Sequence, residues 1–124
     1  MIPLFIDAIR RGEHPTVHGD GLQSRDFSYV TDAVAANFAA AAAPGEECSG
    51  RAYNIAVGES YSLLDLLAIL QKVLSVEIEP VHTEPRAGDV RHTRADLAAA
   101  HRDLGFGCEV DFKDGLRRSV AWFA

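Results

Sequence analysis

The strongest constraint on the fold is a leucine stripe near the middle of the chain. Leu63, Leu66, Leu67, Leu70 and Leu74 share one face at helical spacing. The segment is therefore predicted as an amphipathic helix that has to bury that face. Ser60 or Ser62 stands where an N-cap is needed. A one-sided helix needs a second layer to lie on, and neighbouring segments offer one. Thr16-Val17-His18 is a short extended stretch, stopped by the Gly19-Asp20-Gly21 turn. Arg25 to Val30 alternates and is rich in Phe, Tyr and Val, which predicts a strand. Arg51 to Val57 reads as another strand, closed by Gly58. Glu77 to His82 reads as an extended edge, since Pro80 argues against a central position.

Further helices are predicted around these strands. Pro3 to Arg11 is amphipathic, and Gly12 ends it. Thr31 or Asp32 can cap a helix running through Ala33 to the alanines before Pro44-Gly45. Glu46 to Gly50 reads as loop, and Thr83 to Thr93 as a polar loop. Asp96 to Leu104 is a short helix broken by Gly105. Asp111 caps a last helix with Phe112, Leu116, Val120 and Phe123 on its inner face. Alternating strands and helices predict an α/β architecture. At 124 residues the chain suits one domain, 1–124, with one core and no need of a staple.

The net charge is −6. Nucleic-acid and anionic-membrane partners are not expected, because both are held by an excess of Lys and Arg. Lys72 and Lys113 are the only lysines, so the positive charge is almost entirely arginine, the side chain that grips phosphate in a bidentate way. Cys48 and Cys108 are far apart and form no CxxC pattern, which suits incidental thiols in a reducing cytoplasm. The N-terminal stretch is too short and too charged for a signal peptide or a membrane span.

The usual catalytic signatures are missing. There is no GxGxxG between a strand and a helix, and the Gly19–Gly21 cluster leads into a strand instead. No Tyr-x-x-x-Lys, HExxH or Gly-x-Ser-x-Gly is present, and the five histidines lack zinc-ligand spacing. No catalytic residue and no metal site are expected. Two clusters remain. In the first, a glycine turn leads to Arg25-Asp26, which alone reads as a hairpin with a surface ion pair. The second is Glu84-Pro85-Arg86-Ala87-Gly88-Asp89-Val90-Arg91, a loop stiffened by Pro85 and freed by Gly88. Two arginine loops can together hold a diphosphate, and Asp89 can accept from a sugar or ribose hydroxyl.

The ordered set of segments resembles the C-terminal region of extended short-chain dehydrogenases of the NAD-dependent epimerase/dehydratase type, UDP-glucose 4-epimerase among them. The matching pieces are Ile2-Pro3; Val17-His18-Gly19-Asp20-Gly21; Arg25-Asp26-Phe27 through Tyr29-Val30 and Asp32; Tyr53-Asn54-Ile55 with Gly58 and Ser62; Glu84-Pro85-Arg86 to Gly88-Asp89; Asp96; Leu104-Gly105-Phe106; and Phe112 through Gly115-Leu116 to Trp122-Phe123. They span nearly the whole chain. Two positions depart from the pattern: His18 stands where relatives often carry an aromatic, and Ala56 where they often carry Gly.

The resemblance implies a small mixed α/β substrate-binding domain without the Rossmann cofactor half. It implies that Arg25 and Arg86 hold the two phosphates of a nucleoside diphosphate sugar and that Asp89 binds a ribose hydroxyl. Val17 and His18 would line the base pocket, largely through backbone groups. Asn54 would lie at a strand end near the nucleotide, and Arg91 would assist. Asp26 and Asp32 would be structural. In the family the glycine loop and the catalytic Tyr and Lys lie upstream of this region. NAD, the cofactor of the intact family, is therefore not expected to bind this chain alone. In the family the strand resembling Arg51 to Val57 joins the cofactor-domain sheet. Exposed apolar sheet surface, and with it a homodimer, is expected here. The functional expectation is sugar-nucleotide binding by a truncated epimerase/dehydratase. A non-catalytic interaction module and a remnant without activity are the alternatives.

Overall fold

The structure is a computed structural model that describes residues 1–123. Its elements are α1 (Ile2–Arg10), β1 (Thr16–His18), β2 (Ser24–Arg25), α2 (Val30–Ala42), α3 (Gly45–Cys48), β3 (Tyr61–Ser62), α4 (Leu63–Leu74), β4 (Val81–Thr83), α5 (Ala98–Leu104) and α6 (Phe112–Trp122). The leucine stripe does what its spacing demands. Leu63, Leu66, Leu67 and Leu70 are buried, and Leu74 packs at their edge. The cap is Ser62: its hydroxyl accepts from Asp65 N at 3.0 Å, and the Asp65 carboxylate accepts from Ser62 N at 2.9 Å.

Around that stripe gather Phe5 and Ile6 of α1, Val17 of β1, and Phe112 and Leu116 of α6. The Phe112 ring stacks between Phe27 and Tyr61, with centroids 4.9 and 4.3 Å away. Asp111 caps α6, accepting from Asp114 N at 2.8 Å. A second, smaller cluster joins Ala36 of α2 to Ala100 and Phe106, flanked by Tyr53, Ile55 and Leu104.

The strands are short and form two separate pairs. β1 runs parallel to β4, with Thr16 opposite Val81 and His18 opposite Thr83. β2 is antiparallel to β3, with Ser24 opposite Ser62 and Arg25 opposite Tyr61. Two predicted strands shrink accordingly. The one at Arg25 to Val30 survives as Ser24–Arg25, because the chain turns into α2 at Val30. The one at Glu77 to His82 shifts to Val81–Thr83, beyond Pro80.

The predicted strand at Arg51 to Val57 is not a strand. Among the described residues no strand offers it an edge, so its polar groups are met by side chains. Ile55 O accepts from Ser28 Oγ, and the amides of Val57 and Gly58 donate to Asp26. Two local expectations also change. Glu46 to Gly50 is partly helical, as α3. Neither Thr31 nor Asp32 caps α2, whose N-cap is Tyr29 with no side-chain bond. Asp32 is instead buried, and its carboxylate accepts from Cys108 Sγ and from the amides of Glu109 and Val110.

Exposed large apolar side chains lie on α1 (Leu4), on α2, on β4 (Val81) and on α6 (Trp122). Val30, Val34 and Phe38 follow one another at four-residue spacing along α2 and are exposed, Phe38 to 73%. Among the described residues no helix is long and apolar enough to cross a membrane.

Candidate ligand-binding cleft

The cleft is assembled by two glycine-dependent turns. The first links β1 to β2. Gly21 has φ +77°, and a Cβ there would meet Leu64 Cδ2 at 2.8 Å. The turn therefore sits tightly on the first turn of α4, and Leu64 N donates to Gly21 O. The second lies in the 84–93 segment, where Asp89 N donates to Arg86 O at 3.2 Å and Gly88 takes φ +79°. This segment is pinned to β2 from both sides. Ser24 N donates to Arg91 O, and Thr93 N donates to Ser24 O. Residues more than sixty positions apart in sequence are thus brought face to face.

The resulting cleft is open and has a volume of about 690 Å³. His18, Gln23, Arg25, Arg86 and Asp89 form its polar side, and Leu4, Phe5 and Ala8 of α1 form an apolar wall. An adjoining recess of about 250 Å³ shares His18, Gln23, Arg86 and Asp89, and adds Asp20 and Arg91.

The charged groups are partly paired. Arg25 donates through Nη2 to Asp89 at 2.5 Å and through Nη1 to its neighbour's carbonyl, Ser24 O, at 2.7 Å. Arg91 makes a two-pronged pair with Asp20, both contacts at 2.7 Å. The Arg91 guanidinium pulls the Asp20 carboxyl down to about 2, helped by the Leu22 amide. Arg86 has no ion-pair partner among the described residues. His18 Nδ1 lies 2.9 Å from Thr83 Oγ1, across the β1–β4 pair.

Of the residues singled out in the sequence, His18, Arg25, Arg86 and Asp89 line one cleft, and Arg91 lines its annex. Val17 is wholly buried in the core, inside the β1–β4 pair, and lines neither cavity. Asn54 stands apart. Its amide donates to Asp96 O at 3.2 Å, and it lines neither cavity. Sequence reasoning missed Gln23, although it precedes Arg25 by two residues and so shares its side of an extended chain. It also missed the α1 wall, since the apolar residues of an amphipathic helix read as core. Among the described residues no cluster of three or more His, Cys, Asp or Glu side chains can hold a metal ion. The Gly19–Gly21 turn leads into β2, so its amides do not crown a helix.

The architecture has close counterparts. A family model described as the NAD dependent epimerase/dehydratase family matches residues 1–56. The dTDP-glucose 4,6-dehydratase of Streptomyces griseus is 34% identical over 124 residues, covering 99% of this chain and 37% of that protein. The UDP-glucose 4-epimerase of Thermotoga maritima, solved with UDP-glucose, superposes with a TM-score of 0.91 at 32% identity, covering 98% of this chain and 38% of that one. A UDP-N-acetylglucosamine 4-epimerase from Methanobrevibacter ruminantium, solved with UDP-N-acetylmuramic acid, gives 0.87 at 36% identity, covering 99% and 38%. The chain belongs to the NAD-dependent epimerase/dehydratase family of extended short-chain dehydrogenases and corresponds to the C-terminal part of its members. It spans between a third and two fifths of the length of these relatives.

Proposed function

We propose that the chain is the substrate-gripping part of an NAD-dependent sugar-nucleotide epimerase or dehydratase and binds a nucleoside diphosphate sugar in the cleft. The observation that carries this reading is the convergence of Arg25, Arg86 and Asp89, from two distant segments, on one cleft beside His18. Two guanidinium groups match the two phosphates, and the unpaired Arg86 is free to take an anion without breaking a bridge. Asp89 is the group for a ribose hydroxyl. His18 faces the base, and Arg91 borders the annex. No residue of this chain is assigned a catalytic step, and NAD is not a ligand of the chain by itself. In the intact family the hydride and proton transfers belong to the part that these residues do not span.

Calorimetric titration of the chain with UDP-glucose tests the reading. Micromolar binding is expected, weakened about tenfold or more in Arg25→Ala and in Arg86→Ala. A folded sample that binds no UDP-, dTDP- or GDP-sugar refutes it, and NAD serves as the ligand expected to give no heat. A second reading, self-association, rests on the exposed α2 stripe of Val30, Val34 and Phe38. A homodimer in sedimentation that becomes a monomer in Phe38→Glu is its expected signature.

A further inference from the structure

The 84–90 segment is fastened at both ends and loose between them. Before it, β4 pairs with β1, and Gly19 N donates to Thr83 O at 2.9 Å. After it, Ser24 clasps Arg91 O and Thr93 N. Between these anchors every residue from Glu84 to Val90 is exposed. Among the described residues no backbone hydrogen bond joins 84–90 to the rest of the chain, since Asp89 N donates to Arg86 O within the segment. Nor is the segment packed flat against what it faces. The annex, about 250 Å³, is lined by Pro85, Arg86 and Asp89 of the segment and by His18, Gly19 and Asp20 of the turn, so open space separates much of the one from the other.

Two ion pairs hold the segment in place. Asp89, within it, accepts from Arg25 Nη2 at 2.5 Å, and Arg91, at its far anchor, makes the two-pronged pair with Asp20. Both pairs are at least partly open to water, so they can break and re-form at small cost. An exposed stretch without backbone bonds to its surroundings is the kind that opens locally while the core stays folded. Gly88, at φ +79°, gives it a joint. The same stretch supplies Arg86, Ala87, Gly88 and Asp89 to the cleft wall, so its position sets the width of the cleft. Resting on the sugar-nucleotide reading above, we propose that residues 84–90 are a strap that gates the cleft. Unlatched, it admits a nucleoside diphosphate; latched again, it retains the ligand. On binding, the Asp89 carboxylate leaves Arg25 for the ligand, and Arg91–Asp20 is the latch that persists. That latch stabilises the closed form equally with and without ligand. It therefore slows entry and escape alike and leaves affinity almost untouched.

The test is to measure the association and dissociation rates of UDP-glucose on the unaltered chain and on Asp20→Asn. Asparagine keeps the oxygen that accepts from Leu22 N, so the turn is preserved while the latch is lost. Both rates should rise in Asp20→Asn, by about threefold to fivefold each, with Kd changed less than twofold. Unchanged rates overturn the proposal. A faster association with an unchanged dissociation also overturns it, because removing a negative charge in the path of an anion would account for that alone. A second measurement needs no variant. Amide nitrogen relaxation dispersion of the free chain should show microsecond-to-millisecond exchange at Arg86 to Val90, and saturating UDP-glucose should quench it. The clasp amides of Gly19, Ser24, Val81 and Thr93 should stay flat. A flat profile across 84–90 in the free chain overturns the strap even if Asp20→Asn does not fold. If the chain binds no UDP-glucose, the sugar-nucleotide reading falls and the gate falls with it. Binding without the parallel rise in rates removes this inference alone.

Discussion

Replacing Asp26 with alanine should cost the chain about 3 kcal/mol of stability, because one carboxylate holds three backbone donors. It accepts from Val57 N at 3.1 Å, from Gly58 N at 3.1 Å and from Ala95 N at 3.3 Å. These bonds tie the residue beside Arg25 to the irregular 51–58 segment and to the approach to α5. A hydrogen bond to a charged group contributes about 1.5–3 kcal/mol net, so three would set an upper bound of about 5–9 kcal/mol. The three donors are only half-buried, and water can take up some of them, which brings the figure down to about 3 kcal/mol. In a chain of this length that corresponds to a fall in Tm of about 10–15 °C. Urea unfolding followed by circular dichroism measures it, with the m-value unchanged if the native state stays compact. Asp26→Asn should lose somewhat less, since one acceptor oxygen remains. A loss below about 1 kcal/mol in Asp26→Ala would refute the reasoning, because the amides would then be supported by something other than this side chain.

Three further outcomes follow from single residues. Leu70 is fully buried at the centre of the stripe, and Leu70→Ala should destabilise by about 3–5 kcal/mol in the same unfolding experiment, whereas Leu74→Ala at the edge should cost less. The Asp20 carboxyl, depressed to about 2 by Arg91, makes its contribution in full above its ordinary 3.8 and loses it as pH falls through about 2; a carboxyl-carbon NMR titration should show that low midpoint, and Arg91→Gln should return it towards 3.8. Burial, and then Asp32, push the Cys108 thiol up to about 11, so at pH 8 it should be alkylated by iodoacetamide about a hundredfold more slowly than an ordinary thiol, as followed by mass spectrometry.

What the sequence made legible divides by range of interaction. The helices were readable because their signals are local: the leucine period, the Asp111 cap and the Pro44-Gly45 stop. The strands were readable only in part, because a strand exists through its partner. Thr16–His18 found one in Val81–Thr83, and Arg51 to Val57, with a pattern just as good, found none. Its amides turned instead to Asp26, a choice that no local pattern announces. Asp32 misled for a similar reason. A carboxylate at the start of a helix reads as a cap, yet this one faces inward to the amides of Glu109 and Val110. Arg25, Arg86 and Asp89 were named from their residue types and from family resemblance, while their meeting in one cleft depends on Ser24 being clasped by Arg91 and Thr93. Gln23 carries no formal charge and belongs to no motif, and its place in the cleft wall is set only in three dimensions.

The pairing of charges in the free cleft bears on how a diphosphate would enter. Arg25 spends one nitrogen on Ser24 O and another on Asp89, which holds its guanidinium in place before any ligand arrives. A guanidinium carries five N–H donors, so an anion can bind Arg25 without displacing both partners. Asp89 still opposes a phosphate by its charge, and that opposition is weaker if the same carboxylate turns to a hydroxyl of the arriving molecule. On the proposed reading the two events are linked: the ribose hydroxyl draws the Asp89 charge away as the phosphate takes its place on Arg25. Inorganic diphosphate, which has no hydroxyl to offer Asp89, would then meet the opposition in full. The cleft would in this way favour a nucleoside diphosphate over the bare anion through a carboxylate that would otherwise count against both.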